Sequence, residues 1–260
     1  MLLMTMAHRT TMTLQELLFE QGFGTRRVCA GLIQQGHVAL AHADGWQICD
    51  DPGVEITPDD GWPYRVQGVP WTYHRLAYLM LHKPTGTECS QRPSTWPSIY
   101  SLLPMPLRQR PNKSAVQGVQ AVGRLDQDTT GLLILTDDGK MIHRMTSPRH
   151  HVPKVYEVGT AEPMDASVVP RLLQGVVLYD DPRPVQAAAC ELVSPQHLRL
   201  TLTQGKYHQV KRMLAATGHE VVQLHRSRIG ALELPDDLRP GQWRWLTPAE
   251  LAAAQTALPP

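Results

Sequence analysis

One stretch of the chain sets a carboxylate where it could react: Gly123-Arg-Leu-Asp126-Gln-Asp-Thr-Thr-Gly131 runs straight into the apolar Leu132-Leu-Ile-Leu. An Asp at a strand end, beside Arg124 and just outside an apolar sheet, is held rigidly and stays reachable. Such a carboxylate can serve as a nucleophile or a base. Taken alone, the pattern leaves open the ordinary alternative, a loop Asp capping nearby backbone amides. Asp128, Asp137 and Asp138 invite that ordinary reading more strongly, because Asp-Asp-Gly is a turn signal. A second cluster is basic. Between Gly205 and Arg228 there are five Lys or Arg against one Glu, with His208, His219 and His225 among them. A helix starting near residue 208 would carry His208, Lys211 and Arg212 on one face, with Val210, Met213 and Leu214 turned inward. This face is either a solvated basic surface or a site for a polyanion.

The elements that must position these groups can be read from the periodicity. Leu14, Leu17 and Leu18 share a helical face that ends at Gly22 and Gly24, and Thr25 caps a second helix burying Val28, Leu32 and Ile33. A short strand, 37–40, follows. Residues 1–60 thus form a small helix-helix-strand unit with Arg26 and Arg27 at its second helix. The Pro- and Gly-rich residues 61–75 read as a linker, and residues 76–260 as the main domain. In that domain strands are expected at 78–81, 119–122, 132–136, 155–159, 176–178, 185–193, 198–202 and 221–224. Helices are expected at 138–146, 165–174 and 209–217, with a last one opening at the capping box Thr247-Pro-Ala-Glu250. Strands outnumber helices without alternating with them, so the fold class is α+β on a mixed, largely antiparallel sheet flanked by helices. Residues 84–118 are rich in Pro, Ser, Gln and Arg, and within them PLRQRPNKSAVQG, 106–118, reads as a mobile loop.

Composition narrows the function classes. The net charge of +1 makes the whole molecule no obvious polyanion binder, so any such surface is local. The five acids between Asp50 and Asp60, with no base among them, sharpen that asymmetry. Cys29, Cys49, Cys89 and Cys190 form no Cys-x-x-Cys pair and suit a reducing compartment. No His and Cys fall at metal-ligand spacing. The opening MLLMTM is too short for a secretory segment, and no run approaches the ~18 apolar residues of a membrane span. A soluble cytoplasmic protein is expected.

The motifs then converge. Gly123-Arg-Leu-Asp126 with its continuation to Asp-Asp-Gly139 resembles the central motif of the pseudouridine synthases that modify ribosomal RNA. In chain order, Leu79-Met-Leu-His-Lys-Pro84 resembles the opening strand of that family. Ser147-Pro-Arg-His-His151 with Lys154-Val-Tyr156 is similar to its lysine-x-tyrosine motif. Gly205-Lys-Tyr-His-Gln-Val-Lys-Arg-Met213 resembles the third motif and His225-Arg-Ser-Arg-Ile-Gly230 the closing strand. The likeness covers roughly residues 76–250. SPRHH and KYHQVKRM are most similar to the branch acting on the small ribosomal subunit.

This resemblance implies an isomerase that converts a uridine in 16S rRNA to pseudouridine, without metal or small-molecule cofactor. It implies Asp126 as the group attacking the ribose, Lys211 as its basic partner with Arg212 as the neighbouring candidate, and Tyr156 stacked on the uracil. Arg124 would hold the everted nucleotide, and His208, Arg149, Lys154, Lys206 and Arg226 would meet RNA. Arg144 is a further phosphate candidate, and His150 and His151 face RNA or serve structure. The amino-terminal unit more weakly resembles the RNA-binding module of a small-subunit ribosomal protein, with Ala41-His-Ala-Asp-Gly45 in place of the expected Asn-Gly hairpin. The expected partner is ribosomal RNA or a small-subunit assembly intermediate, bound by a monomer that avoids membranes. A synthase acting on 23S rRNA and a non-catalytic ribosome-assembly protein are the alternatives. A small-nucleoside hydrolase lacks a second carboxylate that can be placed beside Asp126.

Overall fold

The computed structural model describes residues 10–112, 116–179 and 181–257. The opening residues, read above for a targeting segment, lie outside that range, as do residues 113–115 of the expected loop and residues 258–260. The chain divides into two compact units. One holds the described residues up to Ala77 together with Leu103–Val119, and the other holds Tyr78–Leu102 and the chain from Gln120 onward.

In the first unit, β1 (Met12–Thr13) leads into α1 (Leu14–Glu20), where Thr13 and Glu16 form a reciprocal capping box. Thr25 accepts a hydrogen bond from Val28 N–H and starts α2 (Arg26–Gln34). Leu14, Leu17, Leu18, Ile33 and Tyr64 are fully buried between these helices and the strands. The strands are β2 (Val38–His42), β3 (Gly45–Cys49), β4 (Glu55–Ile56), β5 (Pro63–Val66) and β6 (Val69–Thr72). An antiparallel sheet runs in the order β3-β2-β5-β6, and β1 pairs with β4. Residues 61–75, expected as a linker, therefore carry a hairpin. Gln67 and Gly68 both have positive φ, 51° and 78°, as a tight hairpin turn requires. Pro63 opens its strand and Pro70 sits on the edge strand, where no ladder needs its missing N–H.

The second unit contains β7 (Tyr78–Lys83), β8 (Gln120–Ala121), β9 (Thr130–Thr136), β10 (Lys154–Thr160), β11 (Val176–Leu178) and β12 (Asp181–Val185). It continues with β13 (Ala189–Ser194), β14 (His197–Leu202), β15 (Val221–Ile229), β16 (Leu232–Glu233) and β17 (Trp243–Trp245). The main sheet runs β13-β14-β10-β15-β9-β7-β17, with β8 beside β9 and β16 beside β15. Only β15 and β9 pair in parallel; every other neighbouring pair is antiparallel. The segment 185–193, expected as one strand, is two. Val185 ends a strand paired with β11, whereas Ala189 begins one paired with β14.

The helix α3 (Met105–Gln109) belongs to the first unit; α4 (Gly139–Thr146), α5 (Val168–Gln174), α6 (Gln209–Ala216) and α7 (Pro248–Ala254) belong to the second, where they flank the main sheet. Asp138 caps α4 by accepting from Lys140 and Met141 N–H. One core packs α5 and α6 against Val158, Leu198, Leu200, Leu202 and Leu224. Another packs α4 and α7 against Met80, Leu132, Ile134 and Ile229. The described residues of 84–118 hold ordered structure, both before the expected loop and at its start. They hold a 3-10 turn at Ile99–Leu102, the helix α3, and the buried side chains of Ile99, Tyr100 and Leu107.

Candidate active site

Four strands place four residues in one row across the sheet: Lys83 opposite Gly131, Gly131 opposite Arg226, and Arg226 opposite Tyr156. Paired residues share a face, so this row forms the floor beneath the segment that carries Asp126. Gly131 cannot be another residue. Its φ is +110°, and a Cβ there would lie 2.3 Å from the Arg226 carbonyl oxygen.

From Gly123 the chain buries Leu125, turns outward at Asp126, and closes with Thr129 N–H donating to the Asp126 carbonyl at 3.1 Å. The fully buried Lys83 clamps this turn. Its ammonium donates to the carbonyls of Pro84 (3.0 Å), Gln127 (3.2 Å) and Thr129 (2.9 Å). Burial pushes the Lys83 ammonium below its usual range, opposed by the negative potential of Cys89, Asp128 and Asp126. By sequence alone Lys83 stands only as the residue after a short apolar run. A lysine ending an apolar run is ordinarily exposed, and nothing in the local pattern marks this one as buried.

Asp126 opens onto a cleft of about 850 Å³ lined by Arg124, Lys154, Tyr156, Lys206, His208, Lys211 and Arg226, among others. Its carboxylate faces two cationic or protonatable groups: His208 Nε2 lies 3.4 Å from Oδ1, and Lys211 Nζ lies 3.7 Å from Oδ2. His208 reaches it from a left-handed backbone position, φ 49° and ψ 33°, as the residue before α6. The expected pairing of Lys211 with Asp126 is therefore shared. The shorter bonds of Lys211 go to Asp128, whose two oxygens each stand 2.7 Å from Nζ. Burial raises the Asp128 carboxyl, but the hydrogen bonds and charge of Lys211 outweigh it and hold the group below its ordinary value.

The remaining expected residues divide. Tyr156 lines the cleft, half-buried, and packs against the α5–α6 core. Arg124 is exposed on the cleft wall. Lys206 lines the cleft but is ion-paired with Asp181. Lys154 lines the cleft half-buried, donates to the Met145 carbonyl at 3.3 Å, and is pushed down to about 8 by burial and by Arg226. Arg226, expected on a basic surface, is instead 3% exposed, with Nε on the Leu132 carbonyl at 2.8 Å. Its Nη2 has no hydrogen-bond partner among the described residues. Arg212 donates to the Tyr207 carbonyl, and Arg149 is exposed on a 3-10 turn; neither lines the cleft. Arg144, His150 and His151 are exposed outside it as well. Among the described residues, no three His, Cys, Asp or Glu side chains converge as a metal site.

The family model described as RNA pseudouridylate synthase matches residues 77–216. The chain belongs to that family. The match takes in Lys83, Asp126, Tyr156 and Lys211 and stops at the end of α6, just before the strand that supplies Arg226. This pseudouridylate synthase is similar to "Ribosomal small subunit pseudouridine synthase A" of Yersinia pestis, 37% identical over 247 residues, 93% of this chain and 97% of the relative. The protein of the same name from Escherichia coli K12 is 38% identical over 238 residues, 90% of this chain and 96% of the relative. A crystal structure of a pseudouridylate synthase superposes with a TM-score of 0.62 at 33% identity, covering 94% of this chain and 99% of that one. No helix among the described residues is long and apolar enough to cross a membrane.

Proposed function

We propose that this pseudouridylate synthase converts one uridine of small-subunit ribosomal RNA to pseudouridine, with Asp126 as the residue that attacks the sugar. The observation that carries the reading is the Asp126 carboxylate on a clamped turn, flanked by His208 at 3.4 Å and Lys211 at 3.7 Å and opening on the cleft that holds Tyr156. The small-subunit substrate rests on the names of the relatives and on their coverage of nearly the whole chain.

The steps balance without an outside electron donor or acceptor. The Asp126 carboxylate adds to ribose C1′ as the bond from C1′ to uracil N1 breaks, and Lys211 and His208 offset the charge changes around it. The uracil turns against Tyr156, C5 joins C1′, and the carboxylate is displaced. The proton leaves C5 and the former N1 gains one, so product and substrate are isomers. Everting the nucleotide costs a few kcal/mol. Arg124, exposed on the cleft wall, is the group suited to offset that cost by meeting phosphate or base oxygens. Arg27, exposed at the start of α2, suits a second RNA contact from the first unit. The protein acts in the cytoplasm as a monomer.

The test is to map pseudouridine in 16S rRNA from cells carrying the wild-type chain, Asp126→Asn, or no copy. One site is expected to be lost in both altered strains. Retention of that site in the Asp126→Asn strain would refute the role of Asp126. Loss at a 23S site instead would refute the substrate.

A further inference from the structure

Outside the motifs, one element of the cleft has no part in the chemistry above. The loop 88–98 carries Trp96, which lines the cleft while 45% exposed. It is not a floppy surface side chain. The Glu88 carboxylate accepts the backbone N–H groups of Ser94 (3.0 Å), Thr95 (3.0 Å) and Trp96 (2.9 Å), and these bonds hold it down to about 2. Glu88 N–H donates to the Pro97 carbonyl and Ile99 N–H to the Glu88 carbonyl, closing the loop at its base. Ser98 Oγ adds a bond to the Ser90 carbonyl. The indole packs over Gly86, where a Cβ would lie 3.7 Å from the ring. Gly86 N–H in turn donates to the Gln127 carbonyl of the Asp126 turn at 2.8 Å. The ring is thus fixed relative to the reactive carboxylate, with part of its surface left open to the cleft.

A pre-positioned, half-exposed indole in a cleft that also holds Arg124, Lys206 and Lys211 fits the flat surface of a nucleobase. Bases splayed out of a strand are bound by stacking on aromatic side chains, and stacking tolerates any base because each has a π-face. We propose that Trp96 is a stacking platform for a base flanking the target uridine, and that Glu88 is the positioning residue that holds the platform in place. The inference rests on the proposed function, since it assumes that RNA enters this cleft. It assigns Trp96 to substrate binding and gives it no part in bond making.

The experiment uses the full-length protein and a 16S rRNA transcript, measuring equilibrium binding and pseudouridine formation for wild type, Trp96→Phe, Trp96→Ala and Glu88→Gln. Loss of one base stack is expected to raise Kd and KM of Trp96→Ala at least about fivefold with kcat nearly unchanged. Phe should recover most of the loss, and Glu88→Gln should fall between. Transcripts with an abasic ribose at each neighbour of the modified uridine then locate the stacked base. At one position wild type must lose what Trp96→Ala has already lost, with no further loss in that variant. Unchanged Kd in Trp96→Ala, a fall in kcat and melting temperature in place of Kd, or additive losses at every abasic position would each overturn the proposal. A wild-type protein that binds the transcript but forms no pseudouridine would refute the proposed function instead, and the binding comparison would still decide the stack.

Discussion

Replacing Lys83 by Met tests whether a buried ammonium organises the Asp126 turn. Met nearly matches the volume, so packing is preserved and the loss is confined to three hydrogen bonds. They are not equal. The Pro84 carbonyl keeps the Thr87 hydroxyl at 3.0 Å, and the Gln127 carbonyl keeps Gly86 N–H at 2.8 Å. The damage is therefore concentrated at the Thr129 carbonyl. A buried polar group that loses its partner costs about 1–3 kcal/mol. Removing a desolvated ammonium offsets part of this, because burial already disfavours the charged form. A net destabilisation of about 1–2 kcal/mol is expected, readable as a lower urea midpoint at unchanged slope. The effect on activity should be larger. A displacement of about 1 Å at a reacting group can cost ~100-fold, so kcat is expected to fall about tenfold to a hundredfold while RNA affinity holds. Full kcat in a stable Lys83→Met protein would refute the clamp. An unfolded protein would show that Lys83 supports the sheet as a whole.

Gly131→Ala should destabilise by about 2–4 kcal/mol by thermal or urea unfolding, since its Cβ would meet the Arg226 backbone at 2.3 Å and its φ is +110°. Lys154 binds its proton less tightly folded than unfolded, so the unfolded chain holds more protons between about 8 and the ordinary lysine value. Stability should therefore rise with pH through that window, and Lys154→Met should flatten the basic limb of a melting-temperature profile. Binding to the 16S transcript should weaken steeply as salt rises, with a log–log slope shallower by about one phosphate contact in Arg124→Ala; a slope that ignores salt would contradict a phosphate-facing cleft.

Much of this architecture was legible because it is written in local chemistry. Thr25 and Thr247 cap where their side chains can reach a free N–H, and Gly36 and Gly218 follow helix ends with positive φ. The apolar run at 132–136 became the buried central strand. Asp126, Tyr156, His208 and Lys211 were legible as members of one cleft only through their joint resemblance to a family, for no single one is distinctive. Long-range properties were hidden. The hairpin at 63–72 has the composition of a linker because edge position, and not composition, decides whether a strand tolerates Pro. The order of 88–98 comes from one carboxylate collecting backbone N–H groups, which leaves no periodic trace. The burial of Lys83 and Arg226 left no local sign because it is set by neighbours far along the chain. The sharing of Lys211 between Asp126 and Asp128 depends on ångström differences that spacing does not encode.

The row beneath the Asp126 turn draws one residue each from β7, β9, β15 and β10, and the parallel pairing of β9 with β15 closes it. During synthesis, Lys83, Gly131 and Tyr156 emerge long before Arg226. A nascent chain thus has no finished platform under its carboxylate until β15 has left the ribosome and slotted between two strands already made. The enzyme is silent by construction while it is being built, and a fragment ending before Val221 should carry every motif of the family match yet modify nothing.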